Sequence, residues 1–140
     1  MQIKLFMSKN VFSIDMDDKI SIVKNTFEEL GFHHLLVMDE GKLVGVISDR
    51  DLLKAISPKV DSVAATNKDL ATLNKKAHQI MSRDPICLDD TASLRDAIKL
   101  FNETNITCIP ILNIDNQVVG IISWRDIIKV LAEEGFQSLS

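Results

Sequence analysis

Hydrophobic positions along the chain keep two rhythms, and the same succession of rhythms occurs twice. Phe12 and Ile14 alternate with polar neighbours, as do Ile86 and Leu88, which predicts a short first strand in each half. A helical spacing follows, through Ile20, Val23, Phe27 and Leu30 in the first half and Leu94, Ala97, Ile98 and Phe101 in the second. Thr91, preceded by two acids, predicts the start of the second of these helices. Two apolar runs come next, "LLVM" and "KLVGVIS" against "IPIL" and "QVVGIIS", each pair reading as strands joined by a turn. A last helix opens at Ser48 or Ser123 and runs to about Ile56 or Leu131. The unit is β-α-β-β-α.

The two units are copies. From Val44 and Val119, seven of eleven positions are identical, and three others exchange one aliphatic residue for another. Only Asp49 against Trp124 changes character. Upstream the offset falls from 75 to 74, where Met7-Ser8 matches Met81-Ser82 and Phe27 matches Phe101. One extra residue in "NIDNQ" against "MDEGK" explains the shift and belongs at a turn, for which Gly41 and Asn116 are suited. Three short strands and two helices cannot close a core alone, so the copies are expected to pack about a pseudo-twofold axis. The expected organisation is repeat 1 over 1–56, a connector over 57–80 and repeat 2 over 81–140, together one module of class α+β. Within the polar connector, Leu70, Leu73, Ala77 and Ile80 keep helical spacing, with Thr66 or Asn67 as cap, which predicts a loop and then an extra helix.

Composition narrows the function. At 140 residues the chain can bury one core, and 46% hydrophobic with 26% charged residues describes a globular protein. A net charge of −4 argues against nucleic acid as the main partner. No apolar run reaches the length of a membrane span or a secretory signal, so a cytoplasmic location and no membrane partner are expected. Cys87 and Cys108 form neither a disulfide framework nor a metal-ligand spacing.

The repeated β-α-β-β-α unit, the Met-Ser at its head and the "GVISDRD" and "GIISWRD" junctions resemble the CBS domain, of which a tandem pair is called a Bateman module. The resemblance covers roughly 7–56 and 81–131, and the wording "SDRDLLKAISP" is similar to stand-alone bacterial CBS-pair proteins associated with acetoin utilisation. It implies a regulatory module that binds adenosine-containing molecules (AMP, ADP, ATP, NAD or S-adenosylmethionine) in a cleft between the repeats. It also implies a homodimer, and a separate effector protein as the partner that receives the signal. No resident cofactor is required; the adenosyl compound is the regulatory ligand.

Each junction has a plain reading and a functional one. Ser followed three residues later by an acid is close to a capping box, which any strand entering a helix can use. Asp is a shorter reach-back residue than the Glu or Gln that the box prefers. A helix N-terminus also attracts anions, and a carboxylate there can accept hydrogen bonds from both hydroxyls of a ribose. Recurrence of Ser, Arg and Asp together exceeds what capping requires. The resemblance carries Asp51 and Asp126 over as ribose-binding, and Ser48, Arg50, Ser123 and Arg125 as close to phosphate. It points more loosely to a base pocket formed by Ser13, Ile14, His34 and Leu35 in copy one. In copy two the corresponding residues are Cys87, Leu88, Cys108, Ile109 and Pro110. Two departures stand out. Copy one has Leu36 where copy two carries the family's proline, and Asp49 sets a second carboxylate beside Arg50 where Trp124 supplies an aromatic face.

Other candidates carry less. His33 and His34 are neighbours on a strand and would point to opposite faces, so metal binding is not expected. Asp17-Asp18 and Asp89-Asp90 precede helices, where the dipole favours acids. The five glycines match no phosphate-loop spacing, and no Ser-His-acid or Cys-His set can be placed, so no catalytic residues are expected. The alternatives to a sensor are a ligand-free dimerisation scaffold and a small nucleotide-processing enzyme.

Overall fold

The computed structural model describes residues 1–135. Copy one consists of β1 (Ser13–Asp15), α1 (Ile20–Leu30), β2 (His34–Asp39), β3 (Lys42–Ser48) and α2 (Asp49–Ala55). A connector helix α3 (Asn67–Ala71) and a short strand β4 (Ser82–Arg83) follow. Copy two consists of β5 (Leu88–Asp89), α4 (Leu94–Glu103), β6 (Cys108–Leu112), β7 (Val118–Ser123) and α5 (Trp124–Glu134). The expected α+β class and the β-α-β-β-α order hold in both copies. Each unit has its own small sheet, ordered β1-β2-β3-β4 and β5-β6-β7, with the first strand parallel to the second and the third antiparallel to it.

Local chemistry explains most boundaries. The β2–β3 turn places Glu40 and Gly41 both at positive φ, the mirror-image turn whose twist suits a tight hairpin. In copy two the longer turn puts Asn116 at φ 60, and the Asn113 side chain accepts hydrogen bonds from the N–H groups of Asp115 and Gln117 at 2.9 Å. α1 buries Ile20, Val23 and Phe27, and α4 buries Leu94, Ala97 and Phe101, each on one face of its helix. Leu30, at the end of α1, is exposed.

Two helix boundaries differ from expectation. α4 starts at Leu94, not at Thr91. Ser93 accepts the Asp96 N–H at 3.2 Å, and Asp96 accepts the Ser93 N–H at 3.0 Å, a reciprocal cap that Thr91 lacks. The connector spacing does not become one helix. α3 is capped by Thr66 as expected, but after a tight turn over Thr72–Asn74 the backbone extends at Lys75 and Lys76. There the Lys75 carbonyl accepts the Ile20 N–H, and the Ala77 N–H donates to the Asp18 carbonyl, both at 2.8 Å. Backbone groups that a continuous helix would satisfy internally are taken by copy one.

The heads of the repeats are exchanged. Ser82 and Arg83 pair with Val46 and Gly45 of β3, whereas Ser8 exchanges two backbone hydrogen bonds (2.8 and 2.9 Å) with Ile121 of β7. Among the described residues the two units are therefore 12–85 and 1–11 with 86–135. Ile3 is wholly buried in the core of the second, with Leu94, Ala97, Phe101, Ile109, Ile111, Ile122, Ile127 and Val130. Its counterpart Ala77 is wholly buried in the other core, with Ile20, Val23, Leu35, Val37 and Ile47. Glycine is required where each head crosses its sheet. A Cβ on Gly45 would collide with the Met81 side chain and lie 2.9 Å from the Ser82 carbonyl oxygen. A Cβ on Gly120 would collide with Met7 and lie 3.0 Å from the Ser8 carbonyl oxygen.

Candidate ligand-binding site

Each candidate site begins where the third strand of a copy becomes its second helix. In copy one the Ser48 N–H donates to Asp51 Oδ2 at 2.9 Å, and the Asp51 N–H donates to Ser48 Oγ at 3.1 Å. In copy two the Ser123 N–H donates to Asp126 Oδ2 at 2.7 Å, and the Ser123 hydroxyl donates to the same oxygen at 3.2 Å. The capping role is thus real in both copies. It occupies only Oδ2, so the lone pairs of each Oδ1 remain for another donor. Both aspartates are half-buried and both arginines exposed. The guanidinium groups of Arg50 and Arg125 make no hydrogen bond or ion pair among the described residues.

Strand register brings part of the expected base pocket to the same place. His34 opens β2 directly opposite Ser48, and Cys108 opens β6 directly opposite Ser123. Ser13 lies opposite Leu36 on the other side of β2 and is exposed. Ile14, Leu35 and Ile109 turn their side chains into the cores, so only their main chain is available to a ligand. Pro110 is fully buried, and Leu88 is half-buried against the core of its unit. Cys87 is half-buried just before β5, and burial holds its thiol above the usual thiol range.

Position 49 behaves differently from its counterpart. The Asp49 carboxylate sits 2.8 Å from His33 Nδ1, and the Asp49 N–H donates to the His33 carbonyl at 3.0 Å. Partial burial opposes the Asp49 charge. The hydrogen bond and charge of His33, the Arg50 N–H and the charge of His34 together outweigh it and hold the carboxyl below the usual carboxylate range. In copy two the indole of Trp124 stacks on Phe101 with centroids 5.5 Å apart. It walls a hollow of about 540 Å3 with Arg95, Asp96, Ile98, Lys99 and Asn102. The indole thus packs on α4 while Trp124 stays 48% exposed. The His33–Asp49 pair was not anticipated, although a signal existed: positions 33 and 49 change together to Thr107 and Trp124 in the other copy.

Among the described residues no group of three or more His, Cys, Asp or Glu gathers, and no helix is long and apolar enough to cross a membrane.

Two copies, each carrying Ser-x-Arg-Asp at a strand-to-helix junction opposite the start of its second strand, define a tandem repeat with two corresponding candidate sites. The CBS domain model matches residues 2–58 and 77–133, and the chain belongs to the CBS-domain family as a pair of repeats. A CBS domain-containing protein of Dictyostelium discoideum is 29% identical over 92% of this chain and 90% of its own length. An inosine-5′-monophosphate dehydrogenase of Methanocaldococcus jannaschii is 31% identical over 86% of this chain, which spans only 22% of that enzyme. Among solved structures, the CBS domain pair of protein MJ0100, in complex with 5′-methylthioadenosine and S-adenosyl-L-methionine, superposes with a TM-score of 0.77. It is 25% identical over 94% of this chain and 96% of that one. CBSX2 in complex with AMP gives 0.74 at 24% identity, over 94% and 96% of the two chains. An acetoin utilization protein (AcuB) from Vibrio cholerae gives 0.74 at 21%, over 94% and 90%.

Proposed function

We propose that this protein is a regulatory module that binds adenosine-containing ligands at the two Ser-x-Arg-Asp junctions and signals their level to a separate partner protein. The observation that supports this best is the repeated geometry of the aspartates. Each caps its helix through Oδ2 while Oδ1 stays available, half-buried, beside an uncommitted arginine. A carboxylate so placed can take the two ribose hydroxyls, and the arginine can take a phosphate in a two-point contact. Base recognition falls to the main chain of Leu35 and Ile109, with Ser13, Ile14 and His34 in copy one and Cys87, Leu88, Cys108 and Pro110 in copy two around it. The relatives solved with AMP, 5′-methylthioadenosine and S-adenosyl-L-methionine are in keeping with this ligand class. The reading is of a cytoplasmic sensor with no catalytic role and no resident cofactor.

An adenosyl ligand should raise the melting temperature. At one hundred times its dissociation constant it adds about 2.7 kcal/mol if only the folded chain binds. For a chain of this size that is a shift of roughly 5–15 °C. A thermal scan with AMP, ADP, ATP, NAD and S-adenosylmethionine at millimolar concentration tests it, and no shift with any of them would refute the sensor reading. Compounds lacking the 2′-hydroxyl should shift the midpoint less.

A homodimer is the expected state in solution. Leu53 and Ile128 occupy the same position of α2 and α5 and are 70% and 58% exposed, so each copy leaves an apolar side chain uncovered at one place. Pairing of α2 and of α5 with helices of a second copy would cover each of them. Light scattering should give about twice the 15.7 kDa chain mass; a strict monomer at high concentration contradicts it.

A further inference from the structure

The two junctions differ in charge and in what the residue after the capping serine contacts. Residues 48–51 carry two carboxylates and one guanidinium, whereas residues 123–126 carry one of each. In copy one the Asp49 N–H is donated to the His33 carbonyl and the Asp51 N–H to Ser48 Oγ, so two amides of the first turn of α2 are spent. α2 is also only seven residues long against eleven for α5, with fewer aligned peptide dipoles behind its first turn. The Asp49 carboxylate already complements what dipole remains. His33 holds it there at 2.8 Å, so it cannot swing away from an incoming anion without losing that bond. Copy two has no acid at the equivalent position, because Trp124 stands there and packs on Phe101.

We infer that the two copies divide adenosyl ligands between them: copy two takes an adenosine bearing a 5′-phosphate, and copy one takes an adenosine whose 5′-substituent carries no negative charge. This rests on the proposed ribose role of Asp51 and Asp126, and adds the ligand class of each copy. A thioether or a sulfonium at the 5′ carbon meets no repulsion from Asp49. A phosphate dianion facing a fixed carboxylate across several ångströms of largely aqueous surroundings loses about tenfold in affinity.

The test is calorimetry of the full chain with AMP and with 5′-methylthioadenosine, on the parent and on Asp51→Asn, Asp126→Asn and Asp49→Asn, each variant first checked for an unchanged melting temperature. Asp126→Asn should weaken AMP about three- to thirty-fold and leave 5′-methylthioadenosine within about twofold, while Asp51→Asn does the reverse. Asp49→Asn keeps the contact with His33 but removes the charge, and should tighten AMP at copy one by about tenfold. Equal weakening of both compounds by both variants, or no gain of AMP affinity in Asp49→Asn, overturns the division of ligands while leaving the sensor reading intact. Failure of one compound alone to bind also overturns the division, and failure of both, with no thermal shift from any adenosyl compound, overturns the sensor reading as well.

Discussion

Ile3→Ala should destabilise the protein by about 2–5 kcal/mol, although the third residue of a chain is ordinarily one of the least consequential. The expectation follows from the exchanged heads. Ile3 is wholly buried among eight other core residues of the second unit, its N–H donates to the Ala92 carbonyl at 2.9 Å, and the Met1 carbonyl accepts the Leu94 N–H at 2.9 Å. Truncation removes three carbons from a close-packed core and leaves a cavity that backbone pairing on both sides prevents from collapsing. A loss of that size is a large fraction of the stability of an ordinary domain and lowers the melting temperature by roughly 10–20 °C. Thermal denaturation of the single variant measures it. A change within about 2 °C would mean that the first residues are not part of the core in solution.

Asp51→Asn and Asp126→Asn should separate binding from folding. Asn presents the same shape and an amide oxygen that can still accept the Ser48 or Ser123 N–H, so capping is largely kept and the stability change should be within about 0.5 kcal/mol. What is lost is charge. Hydrogen bonds to a charged group contribute roughly 1.5–3 kcal/mol against about 1 for neutral pairs, which predicts a three- to thirty-fold loss of affinity at the altered copy. For a phosphorylated ligand the larger effect should come from Asp126→Asn, because copy one sets the Asp49 carboxylate beside Arg50. Melting curves and titration calorimetry on the two variants read both quantities. If each variant binds as the parent does, or loses stability and binding together, the carboxylates serve only as caps.

Much of this architecture was legible in the chain itself. The β-α-β-β-α order, its duplication and the turn that absorbs the extra residue follow from local rules: alternation, helical spacing and residues suited to positive φ at Gly41 and Asn116. Ser48 and Asp51 could be placed at a helix start because a capping box lies within four residues and needs no distant partner. The cap of α4 lies two residues beyond the sequence expectation because two capping candidates, Thr91 and Ser93, stand close together. Only Ser93 has an acid three positions on, at Asp96.

Three features were decided by tertiary structure alone. The connector pattern from Leu70 to Ile80 has helical spacing, yet the backbone extends at Lys75 and Lys76, because Asp18 and Ile20 supply hydrogen-bond partners that local propensity cannot foresee. The His33–Asp49 pair joins residues sixteen apart that meet only through the register of β2 on β3. The exchange of heads is the largest of the three. Met-Ser was legible as a repeated motif, but nothing in its neighbours tells whose sheet it joins. Sequence alone determined which segments become strands and helices, since those choices are made over spans of four to eleven residues. Which sheet edge each head pairs with was left to the fold, because an edge strand's open N–H and C=O groups accept any segment that a glycine lets come close enough, as Gly45 and Gly120 do for Met81 and Met7.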